Sequence, residues 1–334
     1  KLMADNGLVA EYYGHASVGV LHVRPVLDLK RPEGVAMLRK LEEAIGDLVL
    51  QYGGSMCAEH GDGLARSEWI GRMFGPRIVR AFEEVKAAFD PDGLMNPGKI
   101  VRPPRMDENL RYGDGYPDTQ VQTFFRYDEA GTFQQAIELC SGVGHCRKKL
   151  VGTMCPSYMA TLEEEHSTRG RANALRAALS GRLPGGLHGD ALHRVMDLCL
   201  ECKACKAECP SSVDMAKLKY EFLSQYHGAH GYPLRSHLFA RIDSLNRWLA
   251  PVASLANVAL RSGPNRWLME RLLGIDRRRR MPALARQRFS TWFGRRRVGT
   301  AVAGKTVVFF HDTFTEYNEP WIGIASIRVL ESLG

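Results

Sequence analysis

Between Leu198 and Pro210 the sequence reads LCLECKACKAECP, four of the chain's eight cysteines within eleven positions and a proline directly after the last. The spacing, C-x2-C-x2-C-x3-C-P, is that of ligand runs that give three thiolates to one iron–sulfur cluster and a fourth to another. Upstream, ELCSGVGHCRKKLVGTMCPSY (138–158) holds Cys140, Cys146 and Cys155, with Pro156 after the last. Laid on the same template, Cys140 takes the first place, Cys146 the third, and Cys155 the fourth after a longer spacer. Val143 stands where the second thiolate belongs. Exchange of the fourth ligand then assigns Cys199, Cys202, Cys205 and Cys155 to a [4Fe–4S] cluster. Cys140, Cys146 and Cys209 are left for the other, either [3Fe–4S] or [4Fe–4S] completed by His145, Ser141 or water. Val143 offers no donor, which favours [3Fe–4S]. Soft thiolates select iron–sulfur, copper(I) or zinc, but structural zinc uses separated C-x2-4-C knuckles rather than a tight triple with a reciprocal Cys-Pro partner. Disulfides belong to exported chains, and KLMADNG has no basic-then-apolar leader pattern. Cys57 stands apart.

A second group of donors lies near the start. YYGHASVGVLHVRP contains His15 and His22, and GGSMCAEHGDG contains Glu59 and His60. Two imidazoles and a carboxylate are a divalent-metal set with a position open to a substrate oxygen, although isolated histidines also serve as hydrogen-bonded core or surface residues. Arg24, on the strand of His22, is a cation available to a carboxylate or to a structural salt bridge. Between the cysteine runs, TLEEEHSTRGRANALRAAL places an acidic first turn and later arginines in keeping with a helix dipole. Arg169, Arg171 and Arg176 are there to offset cluster charge or to lie on the surface.

These donors need elements to hold them. In residues 1–105, VGVLHVRPVLDL (18–29) predicts a strand. Leu38, Leu41, Ile45, Leu48 and Tyr52 recur at helical spacing up to Gly53-Gly54, and Ile78, Phe82, Val85 and Phe89 mark a helix over 77–89. This is an α+β unit. RPPRMDENLRYGDGYPDTQ has no apolar period and predicts a linker, taken as 106–129. Residues 130–232 read as a helical iron–sulfur domain and 233–300 as a basic helical connector. Residues 301–334 read as strand, loop and helix, the start of an α/β domain.

At 334 residues the chain has room for two or three such units. No apolar run approaches the roughly 20 residues of a membrane span. Its ends, in KLMADNG and mid-helix in VLESLG, read as those of a central piece of a longer polypeptide in the cytoplasm. The net charge of +8 is concentrated in DRRRRMPALARQRF and GRRRV. Such stripes meet nucleic acid, acidic lipid or an acidic protein, or form a solvated helix face.

The motifs G-H-x3-G-x2-H, G-G-x3-A-E-H-G-x-G and F-D-P-x-G-x-x-N-P-G-K-I, in that order within residues 5–102, resemble the C-terminal cap half of FAD-linked oxidases of the vanillyl-alcohol-oxidase type. That group includes D-lactate and D-2-hydroxyglutarate dehydrogenases and the flavin subunit of glycolate oxidase. MCPSY, STRGRANALR and CLECKACKAECPSSVDMAKLK resemble the glycolate oxidase iron–sulfur subunit. The tail from Lys305 is similar to the opening of the cysteine-rich α/β domain that follows there. The implied fold is an α+β multidomain chain: a flavoprotein cap half, an α-helical two-cluster ferredoxin-like domain, and the start of a cysteine-rich domain.

The resemblance implies that His15, His22 and Glu59 hold a divalent metal, zinc or manganese, with His60 beside the flavin as base and Asn96 and Lys99 near FAD. Ser17, Val18 and Val20 depart from the usual G-H-x-G-D-G-N-x-H. The implied activity is FAD-dependent oxidation of a D-2-hydroxy acid, D-2-hydroxyglutarate ahead of D-lactate and glycolate. Two clusters then pass electrons to a quinone, cytochrome or flavoprotein. No glycine-rich strand–turn segment for a pyrophosphate is found in this stretch. A homo-oligomer and peripheral contact of the basic helices with the inner face of a membrane fit the same picture. Two other functions remain: a non-catalytic electron-transfer module that has lost its metal, to which Val18 and Val20 point, and an iron–sulfur protein binding nucleic acid. The latter leaves AEHGDG and NPGK unexplained, so no nucleic-acid partner is expected.

Overall fold

The computed structural model describes residues 1–113, 115–296 and 307–333. It divides into two compact units, Lys1–Gln122 with Leu179–Arg182, and Thr123–Ala178 with Leu183–Gly334.

In the first unit a one-turn helix, Leu2–Asp5, leads into a hairpin. Strands β1 (Ala10–His15) and β2 (Val20–Pro25) pair antiparallel, with Tyr13 opposite His22 and Glu11 opposite Arg24. The 3₁₀ turn Ala16–Val18 joins them through Gly19, whose φ of 66° a residue without Cβ adopts freely. Gly14 is needed for another reason: a Cβ there would stand 2.5 Å from the Val20 carbonyl oxygen. The predicted strand over 18–29 is thus shorter: the Val26 N–H still donates to the Val9 carbonyl at 3.0 Å, but 27–29 make no backbone bond to β1.

Helix α1 (Pro32–Gln51) starts on a proline suited to its first turn and ends at Tyr52, followed by Gly53 at φ 67°. Helix α2 (Ile70–Phe89) begins earlier than the expected residue 77. Gly75 and Pro76 read as a stop, but the chain kinks there and resumes, with Gly75 at φ 77°. The stripe on its later half is present, yet Val85 and Phe89 remain exposed. Segment 102–122 is irregular in its described residues, and its start is anchored. Arg39 donates from α1 to Glu68 (2.9 and 3.2 Å) and Asp107 (2.7 and 2.9 Å), while Glu68 accepts the Met106 N–H at 2.7 Å.

In the second unit, α3 (Phe133–Glu138), α4 (Pro156–Thr161), α5 (Thr168–Leu179), α6 (Asp190–Asp197), α7 (Ala204–Glu208) and α8 (Met215–His230) surround the cysteines. Ile137, Leu175, Leu192, Met196, Met215 and Phe222 are almost fully buried and fix the loops between them. The connector contributes α9 (Leu234–Ala240), α10 (Ile242–Leu249), α11 (Ala253–Arg261), α12 (Gly263–Leu273) and α13 (Phe289–Arg295). Helices α14 (Thr313–Tyr317) and α15 (Pro320–Ser332) follow.

Among the described residues no strand follows β2, so the chain is mostly helical, with less sheet than an α+β and α/β reading anticipates. The strand expected at the start of the last segment lies partly outside the described residues. Its described part, 307–310, has no neighbouring strand, and an unpaired strand leaves its ladder hydrogen bonds unmade. No described helix is long and apolar enough to cross a membrane.

Candidate functional site

The hairpin register brings the N-terminal donors together. Cross-strand partners share a face, so Tyr13 and His15 of β1 lie on the side of His22 and Arg24 of β2. Glu59 arrives from the loop after α1. The donor atoms of His15, His22 and Glu59 all lie within 4.8 Å of one another. Glu59 Oε1 is 2.9 Å from His22 Nε2, 3.1 Å from His60 Nε2 and 3.8 Å from His15 Nε2. His22 is the least exposed of the three histidines and stacks on Tyr13 with ring centroids 4.3 Å apart. Its Nε2 is buried and, despite the short distance to Glu59, no aligned hydrogen bond engages it. A buried imidazole nitrogen left unpaired beside a carboxylate is costly. A divalent cation would relieve both groups, so the donor set fits one.

His22, Glu59 and His60 line an open cavity of about 510 Å³ between β2, α1 and the 54–60 loop; His15 is not part of its lining. Arg66 lines the same cavity. It was not singled out by sequence, because nothing in GLARSEW marks an arginine as inward. Arg24 does not line it; its guanidinium donates to the Tyr13 hydroxyl at 2.7 Å. Asn96 and Lys99 also lie outside the lining, joined by a 3.1 Å hydrogen bond from Lys99 Nζ to Asn96 Oδ1. Among the described residues no glycine-rich turn between strand and helix offers a pyrophosphate cradle, so the pyrophosphate of FAD is assigned to no residue here.

In the second unit seven thiols converge on two cavities. Cys155, Cys199, Cys202 and Cys205 line one with Ser157 and Arg171. Cys140, Cys146 and Cys209 line the other with Ser141, Val143, His145 and Ser211. None of these cysteines is in a disulfide. Local backbone geometry turns the sulfurs inward. Glu201 and Lys203, one in each x2 spacer, take left-handed φ values of 55° and 60°, and Gly142 and Gly144 do the same between Cys140 and Cys146. Left-handed non-glycine residues cost energy and mark sites that the surroundings over-determine.

The electrostatics suit anions. Arg171 is fully buried and pairs with no carboxylate among the described residues. It donates to the carbonyls of His166 (2.6 Å) and Val195 (3.1 Å), the Ser157 hydroxyl (3.0 Å) and Cys155 Sγ (3.5 Å). Burial pushes the Cys155 thiol up, but Ser157, the Tyr158 N–H and Arg171 outweigh it and hold it below its ordinary value. Burial raises the thiols of Cys146, Cys199 and Cys205. The Arg169 N–H points at Cys146 Sγ (3.3 Å). Four soft donors around one cavity and three around the next, with fixed cations beside them, fit iron–sulfur clusters, whose bonds deprotonate the thiols outright.

Two contributors had no sequence signal. Glu208 accepts the N–H groups of Thr153 (2.7 Å) and Met154 (3.3 Å), tying the residues before Cys209 and Cys155. Ser211 meets Ser141 with hydroxyl oxygens 3.2 Å apart.

Residues 1–100 match the FAD linked oxidases, C-terminal domain, and residues 139–214 match the 4Fe-4S dicluster domain. Over its whole length the chain is 31% identical to a D-2-hydroxyglutarate dehydrogenase of Pseudomonas putida and 29% identical to one of Escherichia coli, spanning 37% of each. The glycolate oxidase subunit GlcD of Escherichia coli is 39% identical over 26% of this chain and 17% of its own length. No solved structure matches. The chain therefore covers little more than a third of the full-length curated relatives. The segment carrying His15, His22, Glu59 and His60 belongs to the FAD linked oxidases, C-terminal domain, and the cysteine-rich segment is a 4Fe-4S dicluster domain.

Proposed function

We propose that this chain works in the oxidation of a D-2-hydroxy acid to its 2-oxo acid, D-2-hydroxyglutarate before D-lactate or glycolate. Electrons leave through two iron–sulfur clusters to an external acceptor: a quinone, a cytochrome or another flavoprotein. The observation that carries this reading is the convergence of His15, His22 and Glu59 within 4.8 Å, with His60 beside them, in an FAD-linked oxidase domain.

His15, His22 and Glu59 would hold a divalent metal, zinc or manganese, which when bound acidifies a coordinated hydroxyl and orients the substrate. His60, the most exposed of the three histidines, receives the hydroxyl proton on a ring nitrogen. Glu59, 3.1 Å away, steadies the imidazolium that results. Arg24, on the same face as His22, swings from Tyr13 to the substrate carboxylate as a bidentate partner. FAD, if bound, would supply the hydride-accepting chemistry, and clusters held by the cysteines would supply one-electron carriers. Asn96 and Lys99 are assigned to the flavin side of the site. Cys155, Cys199, Cys202 and Cys205 would hold a [4Fe–4S] cluster. Cys140, Cys146 and Cys209 would hold a second, [3Fe–4S] in preference, with Ser141, His145 and Ser211 the donors at hand for a fourth iron.

The test is anaerobic titration of the FAD-loaded full-length protein with D-2-hydroxyglutarate, its L enantiomer, D-lactate and glycolate. Flavin bleaching by a D acid, followed by a paramagnetic signal from reduced clusters, is expected. Failure of every D acid to bleach metal-replete protein leaves the electron-transfer module as the reading.

A further inference from the structure

The connector is the part of the chain that the redox reading leaves without a task, and its chemistry is uneven. Residues 233–296 contain fourteen arginines against three acidic residues, Asp243, Glu270 and Asp276, while the whole chain carries only +8. Four of these arginines are paired: Arg247 with Asp243, Arg277 with Glu270, Arg278 with Asp276 and Arg296 with Glu331. The other ten have no carboxylate partner among the described residues.

The same stretch turns apolar side chains outward. Helices α10 and α11 run on through one 3₁₀ turn, Ala250–Val252. Their inner side, Leu249, Ala250, Ala253 and Ala256, packs with Leu284 and Tyr317. On the outer side Leu245, Trp248, Val252 and Leu255 recur at intervals of three and four, one stripe of a helix. Trp248 is 81% and Leu255 73% exposed. Helix α12 adds exposed Trp267 and Leu272, flanked by Arg266 and Arg271. Next to the stripe, and sharing Leu245 with it, is a cavity of about 680 Å³ walled by Leu238, Ile242, Leu260 and Met269. Its cations are Arg235 and Arg279, both without carboxylate partners, and its one acid, Asp276, is neutralised by Arg278.

Short amphipathic helices with tryptophan and leucine on one side and arginines around them bind in the interfacial layer of a bilayer, where apolar burial and attraction to anionic headgroups add. A nucleic acid would satisfy the arginines but offers nothing to Val252 and Leu255. A second copy of this face would set arginine against arginine. We propose that the α10–α12 face docks on an anionic lipid surface. The Trp248–Leu255 stripe enters the interface, the unpaired arginines meet phosphates, and the Arg235–Arg279 cavity receives an acyl chain. This assignment does not rest on the choice of substrate.

The test is co-sedimentation of the full-length holoprotein with phosphatidylcholine vesicles, with and without phosphatidylglycerol. Binding at least about tenfold tighter to the anionic vesicles, and weakening with salt, is expected. Trp248→Glu with Leu255→Glu abolishes it, and Arg279→Glu with Arg280→Glu removes the preference for phosphatidylglycerol. All four side chains lie on or beside the surface, and turnover of a hydroxy acid in detergent-free buffer serves as the control for folding. The proposal is overturned by equal binding to both vesicle types, or by binding that the double glutamate variant leaves intact. It is equally overturned if that variant dissociates an oligomer, or if the protein holds a DNA duplex more tightly than vesicles at the same salt.

Discussion

The Glu208 carboxylate accepts the backbone N–H of Thr153 at 2.7 Å across 55 residues of sequence. Glu208 precedes Cys209 and Thr153 stands two residues before Cys155, so one side chain sets how the two cysteine runs cross. Glu208→Ala is expected to speed cluster loss about 10- to 100-fold, the usual cost of removing a group that orients ligands. Glu208→Gln, which keeps one acceptor oxygen, falls between. Bleaching of the visible cluster absorbance under an iron chelator measures both.

Arg171 leads to a second expectation. Replacing it with Met removes the cation beside Cys155, takes the donor from the Val195 carbonyl and leaves the His166 carbonyl to the Ser157 hydroxyl (3.0 Å). Destabilisation of the iron–sulfur unit by about 2–4 kcal/mol is expected, together with a lower reduction potential for the cluster at Cys155, since a positive neighbour favours the added electron. Urea unfolding and a redox titration read the two effects separately.

Val143 lines the three-thiol cavity at the place where the template has a cysteine. Val143→Cys supplies a fourth thiolate. The paramagnetic signal that a [3Fe–4S] cluster gives in oxidised protein should vanish, and iron content should rise by about one atom per chain. An unchanged spectrum means the wild-type site already holds four irons.

At the N-terminal site, His22→Ala removes the buried donor closest to Glu59. Loss of at least about 100-fold in affinity for zinc or manganese is expected, measured by metal analysis after dialysis. His60→Ala should retain the metal while losing turnover, since it stands outside the three-donor set.

The Arg39 network predicts a pH dependence. Hydrogen bonds from Arg39 first, then Arg105, hold Asp107 far below the carboxylate range, and Arg39, aided by the Met106 N–H, holds Glu68 below it. Both folded-state values are depressed, so the stabilisation is complete above the ordinary carboxylate pKa of about 4. It is lost as pH falls through the lower folded-state values. Arg39→Met should cost about 2–4 kcal/mol at neutral pH and much less at pH values where both acids are protonated. Denaturant midpoints across the acid range give the curve.

What the sequence made legible was local. Cysteine spacing and the AEHGDG and NPGK segments marked the flavin-oxidase and dicluster domains because ligand runs and tight loops are written in neighbouring residues. The helix from Pro32 was legible from its period and its glycine stop. The first turns of α2 were not, since Gly75-Pro76 has the composition of a terminus and only packing shows that the chain kinks and continues. Tyr13 beneath His22, Arg66 in the cavity wall and Glu208 between the cysteine runs depend on strand register or on contacts across long stretches of chain, and no neighbouring residue announces them.

Arg171 has one more implication, for the order of assembly. Without iron, the second unit must enclose a full positive charge among backbone carbonyls and a hydroxyl, an arrangement with little to recommend it over an open chain. Metal insertion supplies the missing counter-ion at the moment it supplies the cross-links. Maturation of this unit should therefore be all-or-none: chains denied iron stay loose and protease-sensitive, and loaded ones close for good.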